Sequence, residues 1–271
     1  GSNIFEQAKI NTIYNNYNAV IVAASGNDFI ESALWKFDSN GECLWVERMD
    51  ERPWTVLELG QDRYAGLGRP RCGWLKLAEA PPFEHLLPPT SFPVMSGSSG
   101  RKCMLFGQTD GSVVNHQSKI VSTESGAVEH LNVLPIGFAA STDAGHLAVR
   151  NDEGELQWES KGDPVVAQHQ GLVIDGKNLV WIARATGQDG NLSIHDALDG
   201  SILASALLSR VRSISSTPTR TVVGCEDGEA LVWDCELLSR RLSQGSTSKD
   251  EPVDERKAAL QAKLLALRQS K

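Results

Sequence analysis

Short runs of apolar residues alternate with polar turns along almost the whole chain, a spacing that predicts strands rather than helices. The clearest case is Arg220 to Asp234. Val222 and Val223 lie in one β-branched run, Glu226-Asp227-Gly228 is a tight-turn signal, and Leu231-Val232-Trp233 forms the return strand. The same plan recurs. Trp35, Trp74, Ile120, Leu156, Ile194 and Val232 anchor six similar stretches at spacings of 39, 46, 36, 38 and 38 residues. Six positions beyond the anchor stands Gly41, Gly126, Gly162 or Gly200 in four of them, whereas Ala80 and Leu238 break the pattern. The anchors are expected on equivalent strands, with side chains in the cores between sheets.

Strands are predicted at Ile10–Tyr14, Ala19–Ala24, Ala33–Phe37 and Cys43–Glu47, and a second unit spans Trp54 to about Leu87. Pro81, Pro82, Pro88, Pro89 and Pro93 then interrupt the pattern; without an N–H they cannot pair as an inner strand, so a poor outer strand and a stiff loop are expected there. The third unit runs from Val94 to about Asn132 and the fourth from Val133 to about Ser160, with strands at Ile136–Ala140, His146–Val149 and Glu155–Trp158. The fifth covers Pro164 to Leu208 and the sixth Val211 to about Leu242, where a last outer strand near Leu237–Leu242 is expected to pair with Ile10–Tyr14.

The hairpin ending in Val232-Trp233-Asp234 resembles the inner hairpin of a WD-repeat β-propeller blade, and a period near 40 residues fits one blade. Gly41 followed four residues later by Trp45 is also similar to the repeat of quinoprotein-like propellers. The resemblance implies an all-β fold: a β-propeller over residues 3–242, of six four-stranded blades, with a seventh blade or an open ring as alternatives. A polar linker at 243–252 and an amphipathic helix at 253–270 follow. Asp250-Glu251-Pro252 signals the helix start, and Val253, Leu260, Leu264 and Leu267 form one narrow stripe suited to a groove or to self-association.

Composition narrows the function classes. A net charge of −8 argues against a nucleic-acid or anionic-membrane binder that is basic all over. No run of about 18 apolar residues predicts a membrane span. Five cysteines without close metal spacing suit a reducing, cytoplasmic setting, although Cys225 and Cys235 could approach each other across a hairpin. The Gly-Ser start without Met reads as the scar of a cleaved tag. The six histidines are scattered, His195 reads as structural, and Ser141-Thr142-Asp143-Ala144-Gly145 imitates only the start of a sialidase Asp-box. No catalytic, cofactor-binding or metal-ligating constellation is expected. Projected onto a propeller, Arg52, Arg69, Arg71, Arg210 and Arg212 share one face with Asp152, Asp189 and Asp227. Such a polarised rim, with the C-terminal stripe, suits charged protein partners in an intracellular assembly. The alternative is an enzyme or small-ligand binder with its site at the axial channel.

Overall fold

The computed structural model describes residues 8–16, 19–26, 31–87, 92–100, 102–217 and 219–243. Its strands form six antiparallel sheets, each built from consecutive segments. The first sheet contains β1 (Ala8–Asn16), β2 (Ala19–Gly26), β3 (Glu31–Asp38) and β4 (Cys43–Met49). The second contains β5 (Pro53–Leu59), β6 (Asp62–Leu67), β7 (Trp74–Leu77) and β8 (Glu84–Leu86). The third holds β9 (Val94–Ser99), β10 (Met104–Gln108), β11 (Ser112–Asn115) and β12 (Ile120–Thr123); the fourth holds β13 (Val128–Leu134), β14 (Gly137–Thr142), β15 (His146–Arg150) and β16 (Leu156–Lys161). The fifth comprises β17 (Val165–Ile174), β18 (Lys177–Thr186), β19 (Asp189–Asp196) and β20 (Ile202–Ser209). The sixth has three strands, β21 (Val211–Ser216), β22 (Arg220–Cys225) and β23 (Ala230–Asp234), and the chain then enters α1 (Cys235–Ser243).

Every sheet is a meander, because short turns can join only neighbouring antiparallel strands. First strands of successive sheets lie side by side, β1 by β5, β5 by β9 and onward to β17 by β21. The sheets therefore stack face to face, and each interface is a separate core. Leu34 and Ile21 of the first sheet meet Val56, Leu67 and Leu75 of the second. Trp74 of the second stacks on Phe106 of the third at 4.4 Å and 12°. Val113 meets Val128 and Phe138, and Leu147 and Val149 meet Val180 and Ile182. Second strands packed on both faces lose the usual alternation: β10 and β14 are buried at every position. Close approach needs small residues here. A Cβ on Gly107 would lie 2.6 Å from Val128 Cγ1.

Turn chemistry explains the repeat. After the third strand, the side chains of Asp38, Asn115 and Asn151 each accept hydrogen bonds from backbone N–H groups two and four residues on. A positive-φ residue completes these turns: Gly41, Ser118 and Gly154. Asp196 begins the corresponding turn of the fifth sheet, which ends on Gly200. In the sixth, Asp234 is followed by Cys235-Glu236-Leu237-Leu238, with no turn-forming glycine. The chain accordingly winds into α1, with Glu236 in its first turn and Arg240 and Arg241 in its last, matching the helix dipole.

Two expectations are corrected. The outer strand predicted at Leu237–Leu242 is helix, and β1 pairs with β2 rather than closing the sixth sheet. The six anchors are also not equivalent. Trp35, Trp74, Ile194 and Val232 lie on third strands, but Ile120 and Leu156 lie on fourth strands and are exposed, as is Val232 at 58 %. Most of β13, the first strand of the fourth sheet, lies in the stretch given to the third unit, which displaced the register by one strand. The poor outer strand expected among the prolines is β8, three residues long, between Pro82 and Pro88. The segment 253–270, with its stripe, lies outside the described residues.

Candidate functional site

Strand alternation sorts the connections onto two ends. Turns between second and third strands, and crossings from one sheet to the next, open on one end. The other turns open on the opposite end. The first end receives Arg52 between β4 and β5, Arg69 and Arg71 between β6 and β7, Arg210 between β20 and β21, and Arg212 at the start of β21. It also receives Asp189 at the start of β19 and Asp227 between β22 and β23. Asp152 does not join them. It lies between β15 and β16, on the opposite end, the same one-strand displacement having misplaced it.

Most of these arginines are already engaged. Arg71 Nε and Nη2 donate to the two carboxylate oxygens of Glu51 at 2.6 and 2.8 Å. Glu51 is buried. Burial alone would raise its carboxyl, but the Arg71 hydrogen bonds and charge outweigh that, and its pKa lies below the usual value. Arg212 bonds Glu226 directly, and Arg210 donates to the Gly187 carbonyl at 3.0 Å. The Arg52 guanidinium sits 3.5 Å over the Trp54 ring. Arg69 is exposed, with no hydrogen bond or ion pair among the described residues. The sequence reading missed Glu51, whose position just before β5 gave no sign of burial.

Polar side chains elsewhere tie sheet to sheet. Arg150 Nε donates to buried Glu124 at 2.7 Å, joining the fourth sheet to the third. Arg184 donates to the carbonyls of Gly145 and Asp163 at 2.7 and 2.6 Å. The indole N–H groups of Trp45 and Trp158, both on fourth strands, donate to Glu79 and Ala197 carbonyls in the next sheet at 2.8 and 2.9 Å. Gly154 precedes Trp158 by four residues, as Gly41 precedes Trp45, a signal the sequence carried and the reading overlooked. Trp158 stacks on His195, whose Nδ1 lies 3.0 Å from the Gly200 carbonyl. His195 is thus structural, as expected.

Burial holds His195 and His130 below the ordinary imidazole value of 6.5. Unfolding releases both to that value, so the unfolded chain binds protons that the folded chain refuses. Their contribution to stability is complete above 6.5 and falls as the pH drops toward the folded values. The denaturant midpoint should therefore decline between about pH 7 and pH 5, and His195→Gln should shrink that decline. Equal slopes in both proteins would contradict it.

The opposite end holds a cavity of about 700 Å³. Val133, Leu134, Pro135 and Leu172 line it, with Cys103, Asp152 and His169 at its polar margin. Burial, and then the Asp152 charge, pushes the Cys103 thiol upward, opposite to what a nucleophile needs.

No family model matches the sequence, and no curated protein does. Solved structures match at the level of fold. A chain of the mitotic checkpoint complex superimposes with a TM-score of 0.63 at 15 % identity, over 84 % of this chain and 77 % of that one. The Dos1 propeller gives 0.63 at 11 %, over 83 % and 68 %. The fold is a β-propeller. The β-propeller domain of Cps50 (Swd1) from Myceliophteria thermophila agrees, at 0.58 and 13 % identity over 79 % and 80 %. Each sheet described above is one propeller blade. Among the described residues, no helix is long and apolar enough to cross a membrane.

Proposed function

We propose that this propeller is a non-catalytic platform inside the cell on which a protein partner docks through the arginine-bearing end. The observation that carries the reading is the β6–β7 turn. Arg71, locked onto buried Glu51, fixes the turn, and Arg69 stands exposed two residues away. A charge held on a rigid base suits steering and register of an oppositely charged partner surface. The propeller neighbours support the reading through fold alone. The stripe Val253, Leu260, Leu264 and Leu267 is proposed as a second contact, with a partner or a second copy. The five free thiols suit a reducing compartment.

The two arginines should separate cleanly. Arg69→Glu should weaken the native complex and lower its salt dependence while leaving the melting temperature unchanged. Arg71→Glu should also lower the melting temperature, because it strands Glu51 in the interior. Unchanged partner binding in Arg69→Glu, by co-purification across a salt series, would count against the proposal. A second reading, a small apolar ligand in the 700 Å³ cavity, is favoured by the Leu134, Leu172 and Pro135 lining. It predicts ligand-dependent stabilisation that Leu172→Asn removes.

A further inference from the structure

Among the described residues the sixth blade has three strands, and no strand pairs with the outer edge of β23 along Ala230–Trp233. The hydrogen-bond phase of that edge is readable. Cys225 N–H donates to Glu229 O at 2.8 Å, and Cys235 N–H to Thr219 O at 2.9 Å. With Thr221 opposite Trp233 and Val223 opposite Leu231, the peptide groups of Leu231 and Trp233 bond inward to β22. Those of Ala230 and Val232 therefore point outward. Among the described residues the blade is also covered on one face only. β10 and β14 are buried throughout, whereas β22 alternates: Thr221, Val223 and Cys225 are buried, and Val222 is 40 % exposed. Val222 sits directly opposite Val232, so the two form an exposed aliphatic pair beside the open edge.

Charge gives the edge a direction. Asp227 and Glu229 stand exposed at its turn end, and neither forms an ion pair among the described residues. At the far end Arg220 and Asp234 face each other at 3.7 Å. An added strand antiparallel to β23, like the fourth strand of every other blade, runs toward the turn. Its C-terminal end meets the two carboxylates.

We propose that β23 is a docking edge for an extended segment of a partner polypeptide, which completes the sixth blade as its fourth strand. The segment sets an aliphatic residue against Val222 and Val232 and a basic residue, at its C-terminal end, against Asp227 and Glu229. Main-chain bonds to Ala230 and Val232 supply affinity, and the valine pair and carboxylates supply choice. The inference rests on the platform reading and adds to it a second place and a partner chemistry.

The test uses the full chain and a synthetic nine-residue peptide of alternating threonine and valine ending in Arg-Lys. Binding is read by fluorescence anisotropy, and amide exchange is followed at residues 230 and 232. The peptide should slow exchange at both positions. Methylating its alternate backbone nitrogens, which leaves the side chains and the protein intact, should weaken binding at least about tenfold, as should replacing Arg-Lys with Glu-Glu. Val232→Pro should do the same while keeping the melting temperature, because proline is tolerated where the N–H faces outward. Arg69→Glu should leave the peptide affinity unchanged. Equal binding of the methylated peptide, or unchanged exchange at 230 and 232 under saturating peptide, would overturn the proposal. So would protection of these amides in the peptide-free monomer, which means the chain fills its own edge, or protection that rises with protein concentration, which means a second copy fills it. If the edge fails but Arg69-dependent capture of the native partner persists, the platform reading stands without it.

Discussion

Trp74→Ala should destabilise the propeller by about 3–5 kcal/mol, the usual cost of removing a large buried aromatic. Trp74 has no exposed surface, and its ring lies flat on Phe106 between the second and third blades. Removing it opens a void that neither strand can fill, since β7 and β10 are each held in register by both neighbours. Its buried indole N–H finds no hydrogen-bond partner among the described residues. Trp74→Phe should therefore cost far less than the alanine change, because it keeps most of the stacking area and removes an unsatisfied donor. Trp233→Ala should also cost less than Trp74→Ala. Trp233 is only half-buried and touches Trp181 edge-on at 5.1 Å. Denaturant unfolding of the three variants checks the order. A Trp74→Ala loss under about 1 kcal/mol would show that the interface between the second and third blades is not a packed core.

Breaking the Glu124–Arg150 pair should have an effect of similar size. The Glu124 side chain is 1 % exposed and Arg150 18 %, so Glu124→Ala leaves a guanidinium without its partner in a largely dry setting. Such losses run to about 3–5 kcal/mol. Arg150 also donates to the Gly154 carbonyl at 3.0 Å, and Ser122 Oγ donates to Glu124 at 2.8 Å, so two turns loosen with the pair. Glu124→Leu with Arg150→Met should recover much of the loss, because apolar residues of similar volume need no desolvation of charge. If the double variant is as unstable as Glu124→Ala, the pair acts through the geometry of these turns rather than through buried charge.

Much of the fold was legible because its signals are local. Apolar runs between Asp- and Gly-bearing turns placed the four strands of the first blade and the bounds of the second and fifth, and the hairpin from Arg220 to Asp234 closes on Gly228 at positive φ as expected. The fourth blade was displaced because β13, Val128–Leu134, carries Glu129, His130 and Asn132, which weaken its apolar pattern. Its place is fixed by tertiary contact: His130 Nε2 lies 2.9 Å from the Val165 carbonyl of the next blade. That single displacement carried Asp152 to the wrong end and made Ile120 and Leu156 look like inner anchors. The departure of the sixth blade among the described residues was written in the sequence: Cys235-Glu236-Leu237-Leu238 follows Asp234, where the first, fourth and fifth blades have turns that close on Gly41, Gly154 and Gly200. The rim was only half legible. Residue type showed its charges, but not that Glu51 and Glu226 hold three of the five arginines.

The most direct test of the central claim is site-specific photo-cross-linking of the full chain in its native cell. A benzophenone amino acid would be placed in turn at Arg69, on the arginine-bearing end, and at Pro135, beside the cavity on the opposite end. A discrete protein adduct is expected from Arg69 that disappears when Arg210 and Arg212, on the same end, are changed to glutamate, and none from Pro135. An adduct from Pro135 alone, with Arg69 silent, would contradict it.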